Sequence, residues 1–519
     1  MRKLTVLFLC VFILLSVSAC SWWGEEAVTP PSLIPFAEPE GRSTATEKAL
    51  PGLPVSAGEF NPVEKNNKLN LQLAYLVFEP LFTIGPDFEP QPALAKSYTT
   101  DGTTLLCKID TSKSFSDGTP VTAKLVAESL IMTQNSEDSP FKARLQGLTI
   151  TAPDESTLQI VSTEENTQLV KTLDMPIGLK KGALMLGTGA YSLSVRDEGK
   201  FLAAESITRT PREIRLFDCD QDTELFYQFD SGHLSAMLRA QEELSASKSF
   251  AGSDIAQIDT TRLYFIGVND SRPFLQDSTA RQGLSALINR EDLCKRIFAQ
   301  SALPAATVFH PKSALFAEMS QKGSTASDTE LARTLFEEAG ISDIDQDGRM
   351  EISQDGRAAR KVTVTILVNK ESKSRRQIAD YIADKLDKAG ITAKVAEVDG
   401  ETYLQRISSM TYDLYIGEVR LPANFLPDKF NSYTGPYSSE FTNACAFYRQ
   451  SDSRESLVTN ADYLARTMLA EGKILPIAFA RDSLIMKKDR FAEVGGGITD
   501  VYGVIFPFYQ ENTEAPEEE

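Results

Sequence analysis

Residues 362–398 constrain the fold more than any other part of the chain. In VTVTILVN, Val362, Val364, Ile366 and Val368 fall on one face with period two, the mark of a strand. The following SRRQIADYIADKLDKAG sets Ile378, Tyr381, Ile382, Leu386 and Ala389 on one helical stripe. Gly390 is placed to end that helix, because glycine accepts a left-handed backbone without a steric cost. ITAKVAEV then returns as a strand with Ile391, Ala393 and Val395 together. Strand, helix and strand at this length specify a right-handed βαβ crossover, so a parallel or mixed sheet is predicted. A helix near 401–409 and a strand in YDLYIGEV extend the pattern.

The same two periodicities alternate elsewhere. TTLLCKID reads as a strand, and TAKLVAESLIMTQ as a helix with Thr122 as its cap. GAYSLSVRD and KFLAAESIT read as a hairpin, and DSTARQGLSALINREDLCKRIFA as a helical stretch with Leu284, Leu287, Ile288 and Phe298 inward. No repeat of fixed period occurs. Mixed strands and helices throughout predict several α/β lobes, not a bundle or a sandwich. A length of 519 residues has room for about three lobes at ~150 residues each.

The start of the chain reads as an export signal. Arg2 and Lys3 precede a run over 4–15 that is apolar except for Thr5, and this run is too short to span a bilayer comfortably. Its small residues end in a cysteine: Val17-Ser18-Ala19-Cys20 resembles the bacterial lipobox, whose cysteine is diacylated and becomes the first residue of the mature chain. Two acyl chains give stable anchoring where one is marginal. Residues 1–19 are therefore expected to be a lipoprotein signal, with Cys20 as the anchor and a plain cleaved signal as the alternative. Trp22 and Trp23 follow, where indoles rest well at the headgroup level. Residues 20–56 read as a flexible tether and 511–519 as an acidic disordered tail. No later segment has the length and hydropathy of a membrane span. A formal net charge of −19 argues against a nucleic-acid or anionic-lipid surface. Beyond the signal and Cys20, Cys107, Cys219, Cys294 and Cys445 are too widely spaced for a CxxC motif; disulfides and buried thiols both remain open.

Longer stretches carry a resemblance. VFEPLFTIGPDFEPQPALAKSYTTDGTTLLCKIDTSKSFSDGTPVTAKLVAESL resembles the opening of the peptide/nickel-type (family 5) extracellular solute-binding proteins of ABC importers. The likeness continues in order through GTGAYSL, LYFIGVNDSRPFLQDSTARQGLSALINRE, ARTLFEEAGI and the βαβ stretch, covering roughly 58–510. The fold it implies is an α/β two-lobed clamp with a third subdomain inserted in the first lobe. Lobe I would take 57–265, with the insertion near 87–185, and lobe II 268–474. The segment 475–510 would return to lobe I, the chain crossing around FIGVN and ILPIAFA. The implied function is capture of peptides or related zwitterionic solutes between the lobes, for delivery to a membrane permease and its ATPase by a monomeric lipoprotein. A ligand bridging both lobes shifts an open–closed equilibrium by its differential affinity.

The resemblance also implies site residues. The family often carries an aspartate four residues beyond the glycine of its YDxxxxGW segment, which pairs with a peptide amine. Here the run is Gly417-Glu418-Val419-Arg420-Leu421, so leucine stands at the aspartate position. Glu418 is then the candidate for the cation and Arg420 for a carboxylate held by a bidentate fork, against a reading of the two as a salt bridge at a strand end. GEFNP brings Glu59 and Phe60, SPF brings Phe141, and Tyr75 is a looser candidate, each weighed against plain packing.

Other motifs point to weaker rivals. Asp343, Asp345, Asp347 and Gly348 stand at positions 1, 3, 5 and 6 of an EF-hand-like loop, but position 12 is Gln354 where a bidentate glutamate is needed. A solvated turn is the expectation there, with calcium the minority reading and no other cofactor. Two histidines, His233 and His310, and the lack of GxSxG or HExxH argue against a hydrolase and against free nickel as cargo. A chelated metal, an oligosaccharide, or a sensor or chaperone role for the clamp are the alternatives to peptide import.

Overall fold

The βαβ unit forms as the spacing predicts. Strands Thr363–Asn369 and Thr392–Val398 pair in parallel, joined by the helix Lys373–Lys388. Val364, Ile366 and Val368 face one core with Ile378, Ile382 and Leu386 of the helix, while Leu367 faces a second core across the sheet. Gly390 takes φ +81° just past the helix, as a chain reversal there requires. The computed structural model describes residues 50–502, apart from 207–208, 210, 241–243, 245–249, 251, 354–357, 428–434, 489–490, 492–497 and 499. The expected signal, Cys20, most of the tether, Gln354 and the acidic tail lie outside the described residues.

Two long strands organise the rest. Ser253–Val268 and Ile474–Lys487 pair antiparallel along most of their length in a seven-stranded sheet. Toward one end, Ile474–Lys487 takes Ala236–Ala240 as a neighbour; toward the other, Ser253–Val268 takes Leu414–Arg420, which continues to the βαβ unit. Between these halves the register jumps from Asp259–Arg481 to Leu263–Phe479. A second slip falls at Pro476, which has no N–H to give to the ladder. Such bulges bend a strand pair and let it leave one layer for another. The first break lies at residues 260–262, ahead of FIGVN.

The cores follow the same division. In the first lobe, Gly52–Val55, Glu213–Asp218, Gly199–Ala204 and Tyr191–Arg196 form one sheet. It packs on the helix Lys68–Val77 around Leu53, Leu73 and Tyr191. An inserted sheet, built on Thr104–Ile109 and Thr157–Ser162, packs on the helix Ala123–Asn135, whose cap Thr122 accepts from the Leu125 amide as expected. The second lobe buries the two faces of the large sheet in separate clusters. Together these make a two-lobed α/β clamp.

The structure adds detail to two readings. The helical stretch after Asp277 consists of two helices, Ser278–Leu287 and Arg290–Ile297, because Asn289 caps the second through the Asp292 amide. Arg290, fully buried at that break, donates to the carbonyls of Pro476 and Ser324 and to the Ser285 hydroxyl, tying both helices to a long strand. Cys107, Cys219, Cys294 and Cys445 are buried free thiols in this structure.

Candidate ligand-binding cleft

A cavity of about 800 Å³ lies where the lobes meet. It falls in the range of small-molecule sites, about 300–1,000 Å³. The helix Lys68–Val77 supplies one wall through Leu71, Gln72 and Tyr75. Asn67 starts that helix by accepting from the Asn70 amide. The inserted subdomain supplies Phe141, Arg144 and Asp174. Its SPF turn is fixed by Ser139, whose hydroxyl donates to the Val63 carbonyl at 2.8 Å. The second lobe closes the far side with residues 419–424, at the end of the strand Leu414–Arg420. Thr260, Thr261 and Asp482, at the register break of the long strands, also line it.

Five of the residues singled out from sequence meet in this cavity: Tyr75, Phe141, Val419, Arg420 and Leu421. Tyr75 donates its hydroxyl to the Asp174 carbonyl at 2.8 Å. Phe141 is largely buried in the core of the insertion, with the Arg144 guanidinium 5.4 Å from its ring centre. Leu421 is held by its amide, which donates to the Thr261 carbonyl.

The structure puts Glu418, Glu59 and Phe60 elsewhere. Glu418 accepts from Arg375 at 3.1 Å and has Arg262 at 3.8 Å. Burial pushes its carboxyl up, but the two guanidinium groups outweigh that and hold it below its usual 4.5. Glu418 and Arg420 form no pair with each other; each has its own partners. Glu59 bonds Lys65 at 2.6 Å, half exposed. Phe60 stacks on Phe78 at 6.0 Å within the first-lobe core.

The charges of the cleft differ in how far they are committed. Arg144 bonds Asp174 at 2.5 Å, and Arg449 is paired with Glu164. Asp482 takes its short bond, 2.8 Å, from the buried Arg262. Arg420 is less committed than these: its guanidinium, 57% exposed, reaches Asp482 at 3.7 Å, beyond hydrogen-bond range. Sequence reading missed Arg144, Asp174, Arg449 and Asp482, which come to the cleft from four distant segments without a shared spacing. No histidine lines the cleft among the described residues: His310 is buried away from it, and His233 lies on the surface beside Gln228.

The weak metal candidates split as well. Asp343 and Asp345 bring carboxylate oxygens together with Glu351, whereas Asp347 turns to Lys361. No described helix is long and apolar enough to cross a membrane.

Two lobes, two shared strands and a mixed cavity between them define a clamp-type solute-binding fold. The sequence profile described as "Bacterial extracellular solute-binding proteins, family 5 Middle" matches residues 89–441, more than half of the chain. The chain belongs to that family. A Brucella ovis protein named for ABC-transporter peptide binding is 24% identical over 316 residues, 54% of this chain. The chain spans 58% of that relative's length. Among solved structures, NikA of Brucella suis with Fe(III)-EDTA superposes with TM-score 0.72 at 14% identity, covering 89% of this chain and 100% of the other. AppA of Bacillus subtilis with a nonapeptide gives 0.63 at 15% identity, covering 89% and 99%. At those identities the likeness speaks for the fold alone.

Proposed function

We propose that this chain is the capture component of an ABC importer, taking peptides or similar small zwitterionic solutes into the interlobe cleft for a membrane permease and its ATPase. The observation that carries the reading is Arg420, a guanidinium exposed inside a two-walled cavity whose ion pair among the described residues is a long one, 3.7 Å to Asp482, while Arg144, Arg449 and Asp482 hold closer pairs. A guest carboxylate on that fork touches the second lobe, while Tyr75 and Phe141 contact it from the first. Binding then favours the closed clamp by the contacts that exist only when both walls are present. The name of the Brucella ovis relative, which refers to peptide binding, supports the cargo class. The reading is one of binding, not catalysis. Exposure of the capture domain outside the cytoplasm, as a monomer tethered through Cys20, completes it; the sequence Val17-Ser18-Ala19-Cys20 is the support for the anchor.

Native mass spectrometry of the gently purified protein tests the reading. A single small solute bearing a carboxylate, released on denaturation and absent from Arg420→Ala, is the expected result. A guest retained equally by Arg420→Ala would remove the arginine's role, and no guest together with no thermal stabilisation by peptide mixtures would remove the function.

A further inference from the structure

Outside the residues that line the cleft, on the second lobe, a short three-stranded sheet joins Ile341–Ser342, Glu351–Ile352 and Arg360–Lys361. The loop 343–350 connects its first two strands. Its carboxylates and the central strand converge: oxygens of Asp343, Asp345 and Glu351 all lie within 4.8 Å of one another. Two oxygens that each sit about 2.3–2.6 Å from one calcium ion are at most about 5 Å apart. The spacing is therefore one that a single ion of that size bridges.

Crowded acids on a surface loop do not by themselves make a site; Glu351 does. It is 4% exposed, fixed on the middle strand opposite Ser342 and Lys361. One of its oxygens accepts from the Ile344 amide at 2.8 Å, and the other, Oε1, is buried without a hydrogen-bond partner. A buried carboxylate oxygen with no donor is costly, and a cation is what removes the cost. Of the neighbouring cations, Lys361 bonds Asp347, keeping the Asp347 carboxyl below its usual value, and also feels the charges of Asp345 and Glu351, while Arg349 holds Asp387 at 2.6 Å. Amides of Asp347 and Gly348 donate to Asp343 and curl the loop around the cluster.

We infer that Asp343, Asp345 and Glu351 form a calcium site that pins this small sheet to the second lobe. It is not an EF-hand. The buried acid comes from position nine of the loop, on a strand, and position 12 is Gln354. Glu351 supplies the charge that the motif count assigns to position 12. The loop is attached to the βαβ unit, since the Met350 amide donates to the Gly390 carbonyl at 2.9 Å, so occupancy stiffens the end of the helix Lys373–Lys388.

Calorimetric titration of the chelator-stripped full chain with calcium chloride tests this. Binding near about 10⁻⁴–10⁻³ M, the range of extracellular calcium modules, is expected, with a matching rise in melting temperature. Glu351→Gln and Asp345→Asn should each weaken it by about tenfold or more, because fewer charged ligands remain. Should Glu351→Gln fail to fold, the exposed Asp345→Asn decides between the outcomes. Absence of binding at about 10 mM calcium, or binding undiminished in the variant that folds, overturns the site.

Discussion

Two of the joints between the lobes differ in chemistry. At the strand joint, where the long strands slip register, the contact is ionic: Arg262 bonds Asp482, and Glu418 bridges Arg262 and Arg375. At the hairpin joint, Phe82–Ile84 and Pro90–Pro92 leave the first lobe and push Phe88 into the second. Phe88 lies 4.2 Å from the His310 ring and 5.3 Å from Phe425. Both phenylalanines hold left-handed backbones, φ +64° and +54°, which bulky residues avoid unless burial offsets the strain. The Asp87 carbonyl accepts from the Ala314 amide, and Glu89 bonds Lys171 and Arg454 around the rim. The difference has a physical reason. Covalent continuity already holds the strand joint together, so it tolerates buried charge. The hairpin has no chain crossing to help it, so it needs apolar burial.

The sharpest way to break that contrast is Phe88→Ala, which removes the apolar plug. Unfolding should lose about 4 kcal/mol, at the level of other buried Phe→Ala changes. A loss below about 1 kcal/mol in chemical denaturation would show the plug to be dispensable.

Glu418→Gln probes the strand joint and should cost about 3 kcal/mol near neutral pH, because it leaves the partly buried Arg375 without its acid. The Glu418 carboxyl is held below its usual 4.5, so the stability it provides is present above that pH and fades as pH falls through its lowered value. Wild type and variant should therefore converge in strong acid. Denaturation curves that stay parallel down to low pH would contradict this assignment.

Acid separates the joints at a smaller scale. His310 packs against Phe88, Phe425 and Phe479. Burial first, then the charges of Lys312 and Arg481, push it from 6.5 down to about 3. The unfolded chain gains that proton below 6.5 while the folded one resists it, so stability is lost as pH falls from 6.5 toward 3. By pH 5 this amounts to about 2 kcal/mol, in a window where Glu418 still contributes. His310→Phe should flatten the pH 5–6.5 part of the profile; an unchanged slope would place its cause elsewhere.

The same two joints show how much was legible in the sequence. The strand joint lies beside the βαβ unit, whose periodicity is local and readable residue by residue. Nothing periodic surrounds Phe88 in GPDFEPQP, and its partners His310 and Phe425 are hundreds of residues away. In the cleft, the family-like runs led to Tyr75, Phe141 and residues 419–421. Arg144, Arg449 and Asp482 carry no such signal, because their place in the cleft is set by how the lobes pack. Glu418 read in the sequence as a cation anchor or a partner of Arg420, since Arg375 and Arg262 meet it only through tertiary pairing.

Small-angle scattering of the full chain, before and after addition of the solute found by mass spectrometry, tests the clamp most directly. A decrease in radius of gyration on binding in wild type, lost in Arg420→Ala, is the predicted result. Tight binding with an unchanged scattering curve would contradict closure of the two lobes on their guest.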